Sequence, residues 1–189
     1  MYIINQIING VVDMFSNDDP MFIAGQIVGI FVTIAAVISM QFKTMKSILA
    51  GQVVANLLLM LNCLLLSAWA GAGTGIIATV QTIVNYTFSA RNKKIPVLLT
   101  VFFMILYVIS SFFTYKGIAD VLPLIAALIF AVAVMQEKAS ICRLLSLGNS
   151  ALWLAYDIRI SAYTTTLTHG ILLISVIVAI IRLDIKEWK

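Results

Sequence analysis

The sequence predicts an all-α membrane protein: seven transmembrane helices in a 3+1+3 order, with two parallel three-helix repeats joined by a single helix and a short amphipathic helix in front. Three observations carry this. The 189 residues are 62% hydrophobic and 11% charged, with a mean hydropathy of +1.07. A soluble domain of this size needs a far more polar shell. The apolar residues fall in runs of about 20, the length that crosses a bilayer as a helix, not in the alternating stretches of about 10 that build a barrel. Finally, the chain repeats itself. Ala36–Lys43 (AVISMQFK) and Ala131–Lys138 (AVAVMQEK) stand 95 residues apart and share five of eight residues. Internal repeats in an apolar chain are the mark of transporter-like architectures.

Residues 1–19 form the N-terminal segment. Ile3, Ile4, Ile7, Ile8, Val11, Val12 and Phe15 recur at helical spacing, with Asn5, Gln6, Asn9 and Asp13 on the other face. This predicts a short helix on the outer membrane surface, or one packed on the bundle or on a second copy in a homo-oligomer. No basic residue precedes its apolar part, so it is not read as a signal peptide. Asp19 is the expected N-cap of the first span and Pro20 its first helical residue.

The membrane domain occupies residues 20–189. Its runs are Pro20–Gln41, Met45–Trp69 and Gly73–Ala90 in the first repeat (20–94), then Ile95–Thr114 as the linker helix (95–114). Ile118–Gln136, Ala139–Ile158 and Ala162–Leu183 form the second repeat (118–189). Pro96 and Pro123 lie near helix starts, where a missing N–H costs little. Gly25 and Gly29 predict close helix approach in the first span, and Gly71, Gly73 and Gly75 crowd the start of the third. The linker is the most uniformly apolar run and is expected to face lipid. Three spans on each side of one linker let both triplets enter the membrane in the same direction, which places a solute site near mid-bilayer between them.

Charge sets orientation. With the loop after the first span inside, ten of the twelve basic residues fall on the inner side; Lys116 and Arg159 fall outside, with Asp13, Asp18, Asp19, Asp120 and Asp157. The positive-inside rule then puts the N-terminus outside and the C-terminus inside. The net charge of +4 is thereby spent on orientation and on anionic headgroups, not on nucleic acid. Cys63 and Cys142 have no metal spacing and read as small buried apolar side chains. No metal or other cofactor is expected.

Polar residues at depth carry the functional reading, because each costs free energy in hydrocarbon unless it is paired. Asn56 lies midway along the second span and Asn149 midway along the sixth. Gln81 is midway along the third, and His169 lies about a turn from the middle of the seventh. Gln52 and Asn56 share a face, as do Gln81, Asn85 and Ser89. Ser146, Asn149, Ser150, Trp153, Tyr156 and Asp157 form a face of the sixth. Such groups can line a shared wet cavity for a small polar solute, with Asn56, Gln81, Asn85, Asn149, Trp153 and His169 as its binding residues. They can equally bond a neighbouring helix, and Trp153 and Tyr156 can serve as interfacial belt residues. Asp120, Asp157 and Arg159 stand at the outer mouth, as gate ion pairs or as solvated loop ends. His169 invites proton coupling, with a neutral histidine bonded to a threonine as its rival.

The Met-Gln ends at Met40-Gln41 and Met135-Gln136 resemble the Pro-Gln ends of PQ-loop proteins, and the 3+1+3 layout resembles the SWEET and nicotinamide-riboside (PnuC-type) carriers. Residues 68–73 (AWAGAG), residues 121–125 (VLPLI), and Trp153 with the run to Ile180-Ile181-Arg182 are similar to the YgjV-type family of bacterial inner-membrane proteins. The resemblance covers nearly the whole chain after residue 20. It implies a multi-pass protein of the bacterial cytoplasmic membrane with a SWEET-like fold. Met40 and Met135 replace the PQ proline, and the mid-helix prolines of sugar carriers are missing.

The expected function is therefore a SWEET-like carrier for a small polar solute, working by alternating access between two three-helix bundles. The alternative is a membrane receptor or interaction protein on the same fold. An enzyme is not expected, because no metal cluster, paired acids at depth or activated nucleophile is present in the sequence.

Overall fold

A computed structural model describes residues 19–115, 117–159 and 163–185. The expected surface helix before residue 19, and Lys116, Lys186 and Lys189 from the charge count, lie outside the described residues. Among these the structure is all helical. The helices are α1 (Pro20–Met40), α2 (Met45–Leu65), α3 (Trp69–Ala90), α4 (Val97–Thr114), α5 (Val121–Ala133), α6 (Ala139–Arg159) and α7 (Tyr163–Ala179). A 3-10 turn (Ile118–Asp120) leads into α5, and a π turn (Ile180–Asp184) closes α7.

The helices alternate in direction, so the bundle has two ends. The basic end carries the α1–α2, α3–α4 and α5–α6 loops and the π turn. The acidic end carries Asp19, Asp120 and Asp157. Consecutive helices pack on each other; α4 bridges α3 and α5, while α1 and α2 also meet α7 and α6. Two pairs of helices have matching bounds, while α1 (21 residues) and α5 (13 residues) do not. α2 and α6 are both 21 residues and begin 94 residues apart, at Met45 and Ala139. α3 has 22 residues from Trp69, and α7 with its π turn has 17 plus 5 from Tyr163, again 94 residues on.

Among the described residues, four stretches are long and apolar enough to cross a membrane: Pro20–Met40, Met45–Leu65, Val97–Thr114 and Thr165–Asp184. α3 and α6 are as long but more polar, because their polar faces turn inward. On α6, Ser140, Arg143, Ser146, Ser150 and Asp157 are buried, while Ile141, Leu144, Ala151, Ala155 and Ile158 are exposed. On α3, Thr79, Gln81, Thr82 and Asn85 are buried and Ile76, Val80 and Ile83 are exposed. This is the reverse of a soluble helix and suits a hydrocarbon surround. α4 matches the lipid-facing expectation on most of its surface, with Leu98, Phe112 and Phe113 each at least 80% exposed. Its other face buries Thr100, Phe103 and Tyr107.

Local chemistry explains the helix ends. The Asp19 side chain accepts from Met21 N–H at 3.0 Å, with Pro20 at the first position, as expected. Thr44 caps α2 through Ser47 N–H. α2 and α3 end in Schellman turns, with Ser67 (φ 55°) and Asn92 (φ 52°) in the left-handed region. Ala68 N–H reaches Cys63 O at 2.8 Å and Lys93 N–H reaches Phe88 O at 2.9 Å. The close approach expected at Gly25 and Gly29 holds, whereas at Gly73 a Cβ would meet nothing within 4 Å. A Cβ on Gly25 would meet Leu66 at 2.5 Å, and one on Gly51 of α2 would meet Ser39 Cβ at 2.6 Å. Asn62 Nδ2 uses the close approach to donate to Gly25 O at 2.7 Å.

α5 departs from the expected span. Its helix stops at Ala133, not Gln136, and with the 3-10 turn it reaches roughly 25 Å, less than the ~30 Å hydrocarbon core. Ending a helix inside an apolar slab exposes carbonyls that lipid cannot satisfy. Side-chain amides meet them: Gln81 donates to Ala131 O at 3.3 Å, Gln136 to Val132 O at 2.8 Å and Asn85 to Val134 O at 3.1 Å.

Candidate functional site

The six expected binding residues separate into two groups. Asn56, Gln81 and Asn85 belong to the seams between helices. Asn56 Nδ2 donates to Thr82 Oγ1 at 3.0 Å, tying α2 to α3. Gln81 is fully buried; its amide donates to α5 and its Oε1 accepts from Tyr107 of α4 at 3.2 Å. Asn85 completes the closure of α5. These amides do the helix-joining work that the sequence left open as an alternative to cavity lining.

Asn149, Trp153 and His169 belong to the second group, in the acidic half. Asn149, Trp153 and Asp157 recur every four residues and so form one stripe of α6. The Trp153 indole lies parallel to the His169 ring of α7, with centroids 5.6 Å apart and planes at 14°. Tyr156 meets the same indole edge-on at 6.0 Å. His169 Nδ1 is 2.6 Å from Asp157 Oδ2, and the Asp157 side chain is 5% exposed. His169 thus has a carboxylate partner from the neighbouring helix, because Asp157 sits on the α6 face turned toward α7. The neighbouring Thr168 bonds Thr33 of α1 at 3.3 Å. Tyr156 Oη donates to Asp120 Oδ1 at 3.1 Å, and Gly117 N–H to Asp120 Oδ2 at 3.0 Å. The two aromatic residues are therefore engaged with the cluster as well as lying near the interface. Within the stripe, Asn149 Oδ1 is buried and has no hydrogen-bond partner.

The three expected gate residues divide likewise. Asp157 and Asp120 join the cluster. Arg159 is exposed and borders a cleft at the acidic end with Gly117, Leu122 and Ala155.

Sequence reasoning missed a second polar centre, at the basic end. Arg143 of α6 is 2% exposed and Asp184 of the π turn 1% exposed, and they pair in bidentate fashion. Arg143 Nε donates to Asp184 Oδ2 at 2.8 Å, and Nη2 donates to Asp184 Oδ1. Nη1 donates to Phe42 O, in the α1–α2 loop, at 2.7 Å. Gln41 of the same loop donates to Ser175 O and Oγ, both at 2.9 Å, and Arg182 donates to Gln41 Oε1 at 3.0 Å. Beneath this lies an apolar plug. Met40, Met45, Ile48 and Leu49 of the first triplet pack with Ala133, Val134, Cys142 and Val176 of the second. The available signal was Asp184 itself, an acid directly after the last apolar run at the end where the bases gather. A tally of charges by side reads Arg143 as an orienting residue and cannot see its partner 41 positions away.

The cluster at the acidic end offers hydrogen-bond acceptors and an aromatic surface. Among the described residues, no group of three or more His, Cys, Asp or Glu side chains is arranged to hold a metal ion.

Apolar outer faces on every helix and buried polar centres at both ends define a polytopic membrane protein. The chain belongs to the Imp-YgjV family, bacterial inner membrane proteins, whose family model matches residues 23–187. Comparison with curated proteins and with solved structures found no significant match.

Proposed function

We propose that this inner-membrane protein is a SWEET-like carrier for a small polar solute, working by alternating access between the α1–α3 and α5–α7 triplets with α4 as linker. The observation that carries this reading is the joint between triplets at the basic end. Gln41 and Phe42 of the first triplet are held by Ser175, Arg182 and Arg143 of the second, over a shared apolar plug. Such a closure is what a carrier must make and break on one side of the membrane. The repeated element bounds support two related halves. The solute site in this reading is the Asn149–Trp153–His169–Asp157 cluster, where Asn149 Oδ1 lacks a partner. Asn56, Gln81 and Asn85 serve the bundle. The charge asymmetry supports an orientation with the N-terminus outside and the C-terminus inside, in which the joint closes the cytoplasmic side.

A second reading, a receptor or interaction protein on the same fold, draws on the amides of Asn56, Gln81 and Asn85, which are engaged in helix contacts. One experiment separates the two. Proteoliposomes carrying the protein are assayed for uptake of labelled small polar metabolites found by thermal-shift screening, since a ligand that binds only the folded state raises apparent stability. Saturable uptake lost in Trp153→Ala and His169→Ala supports the carrier. Saturable binding without flux supports the receptor. Flux that survives Asn149→Ala with Trp153→Ala rejects this site.

A further inference from the structure

We propose that the cleft between the starts of α4 and α6 at the basic end is a binding site for an anionic phospholipid of the surrounding bilayer. The cleft, of about 370 Å³, is lined by Lys94, Val97, Met135, Glu137, Lys138 and Ile141, among others. It exists because α5 stops short: Met135, Glu137 and Lys138 belong to the loop that replaces its last turn, between the longer α4 and α6.

Its lining is graded as a phospholipid is graded. Lys94 and Lys138 stand in the loops and are exposed. Val97 and Ile141, in the first turns of α4 and α6, are 66% and 40% exposed and continue into the apolar outer faces of those helices. An acyl chain lying on those faces delivers its headgroup to the two ammonium groups. The first turns also orient backbone N–H groups toward the basic end, which favours an anion. Lys94 contacts Glu137 at 3.3 Å, but this pair is exposed on both sides and weak, so a phosphate can exchange for the carboxylate. Basic pockets between transmembrane helices are suited to anionic headgroups in this way. Thr100, one turn beyond Val97, has a buried hydroxyl without a partner.

The test uses the full chain purified in neutral detergent. Phosphatidylglycerol or phosphatidylcholine is added, and bound lipid is counted by native mass spectrometry. Wild-type protein is expected to retain phosphatidylglycerol over phosphatidylcholine. Lys94→Gln with Lys138→Gln should weaken phosphatidylglycerol binding about 30-fold, from the charge contribution of two lysines near the membrane surface. Lys43→Gln with Lys46→Gln removes the same charge from exposed positions at the same end, outside the cleft, and should change binding only slightly. Equal binding by the cleft variant and the wild type overturns the proposal. An equal loss in both variants also overturns it, in favour of diffuse attraction. Full competition by inorganic phosphate overturns it in favour of a free-anion site.

Discussion

Replacing Asp184 by asparagine keeps the shape of the side chain and deletes its charge. Arg143 is then left 2% exposed with no counter-ion. Breaking a buried pair from one side costs about 3–5 kcal/mol, most of it the price of the orphaned charge. Arg143→Met in the same background removes that charge. It leaves Phe42 O without its 2.7 Å donor, a loss of about 1–3 kcal/mol. The double variant should therefore be more stable than Asp184→Asn alone by about 2 kcal/mol, even though it carries one change more. SDS titration of the protein in mixed micelles, followed by tryptophan fluorescence, measures both, with a second probe to test two-state behaviour. A single variant costing less than about 1 kcal/mol would show that the charges are hydrated and that the joint is not dry. A double variant less stable than the single would show that the Phe42 carbonyl contact, not charge pairing, holds the joint.

Gly51→Val should destabilise by about 1–3 kcal/mol or more in the same titration, because its Cβ falls 2.9 Å from Ser39 Cα, a backbone atom that cannot swing aside; Gly73→Ala, with open space around it, is the matched control. Gln81→Leu should cost about 1–3 kcal/mol by leaving Ala131 O and the Tyr107 hydroxyl without partners. Ser67→Gly should stabilise by about 0.5–1 kcal/mol, measured the same way, by relieving a left-handed non-glycine residue. In a Cys63→Ser background, buried Cys142 should react slowly with a water-soluble maleimide, and Gln41→Ala with Arg182→Gln should speed labelling about tenfold if the loop contacts are worth about 1.4 kcal/mol; an unchanged rate would mean the apolar plug alone keeps the end shut.

What could be read from the sequence divides along one line. Features set by a residue and its chain neighbours were legible: the Asp19 cap, the close approach at Gly25, the lipid-facing side of α4, the element starts within a few residues. Features set by a distant neighbour were not. Gln81 and Asn149 look alike in the sequence, two amides at similar depth. One is consumed because α5 ends early and strands Ala131 O beside it; the other keeps an unpartnered oxygen. His169 follows Thr164, Thr165, Thr166 and Thr168 in its own helix, and its carboxylate partner comes from α6. Arg143 and Asp184 each look like members of a charge tally until the π turn of α7 is placed against α6.

The two polar centres differ in what they connect, and that difference bears on mechanism. Asp157–His169 and Tyr156–Asp120 join α6 to α7 and to the start of α5, all within the second triplet. Arg143–Phe42 and Gln41–Ser175 join one triplet to the other. In the proposed carrier, a rigid-body movement of the triplets would leave the acidic-end cluster whole while it breaks the basic-end joint. Arg143 keeps Asp184 through such a movement, since both belong to the second triplet, and surrenders only Phe42 O. The ion pair thus need not be pulled apart in the membrane, where separation is most costly. Its guanidinium can serve as a fixed donor that the α1–α2 loop docks on and leaves. In the proposed carrier the energy to be supplied at each opening is that of these hydrogen bonds, of the Gln81–Ala131 and Asn85–Val134 bonds between α3 and α5, and of an apolar contact, and it must come from a bound solute's differential affinity for the two states.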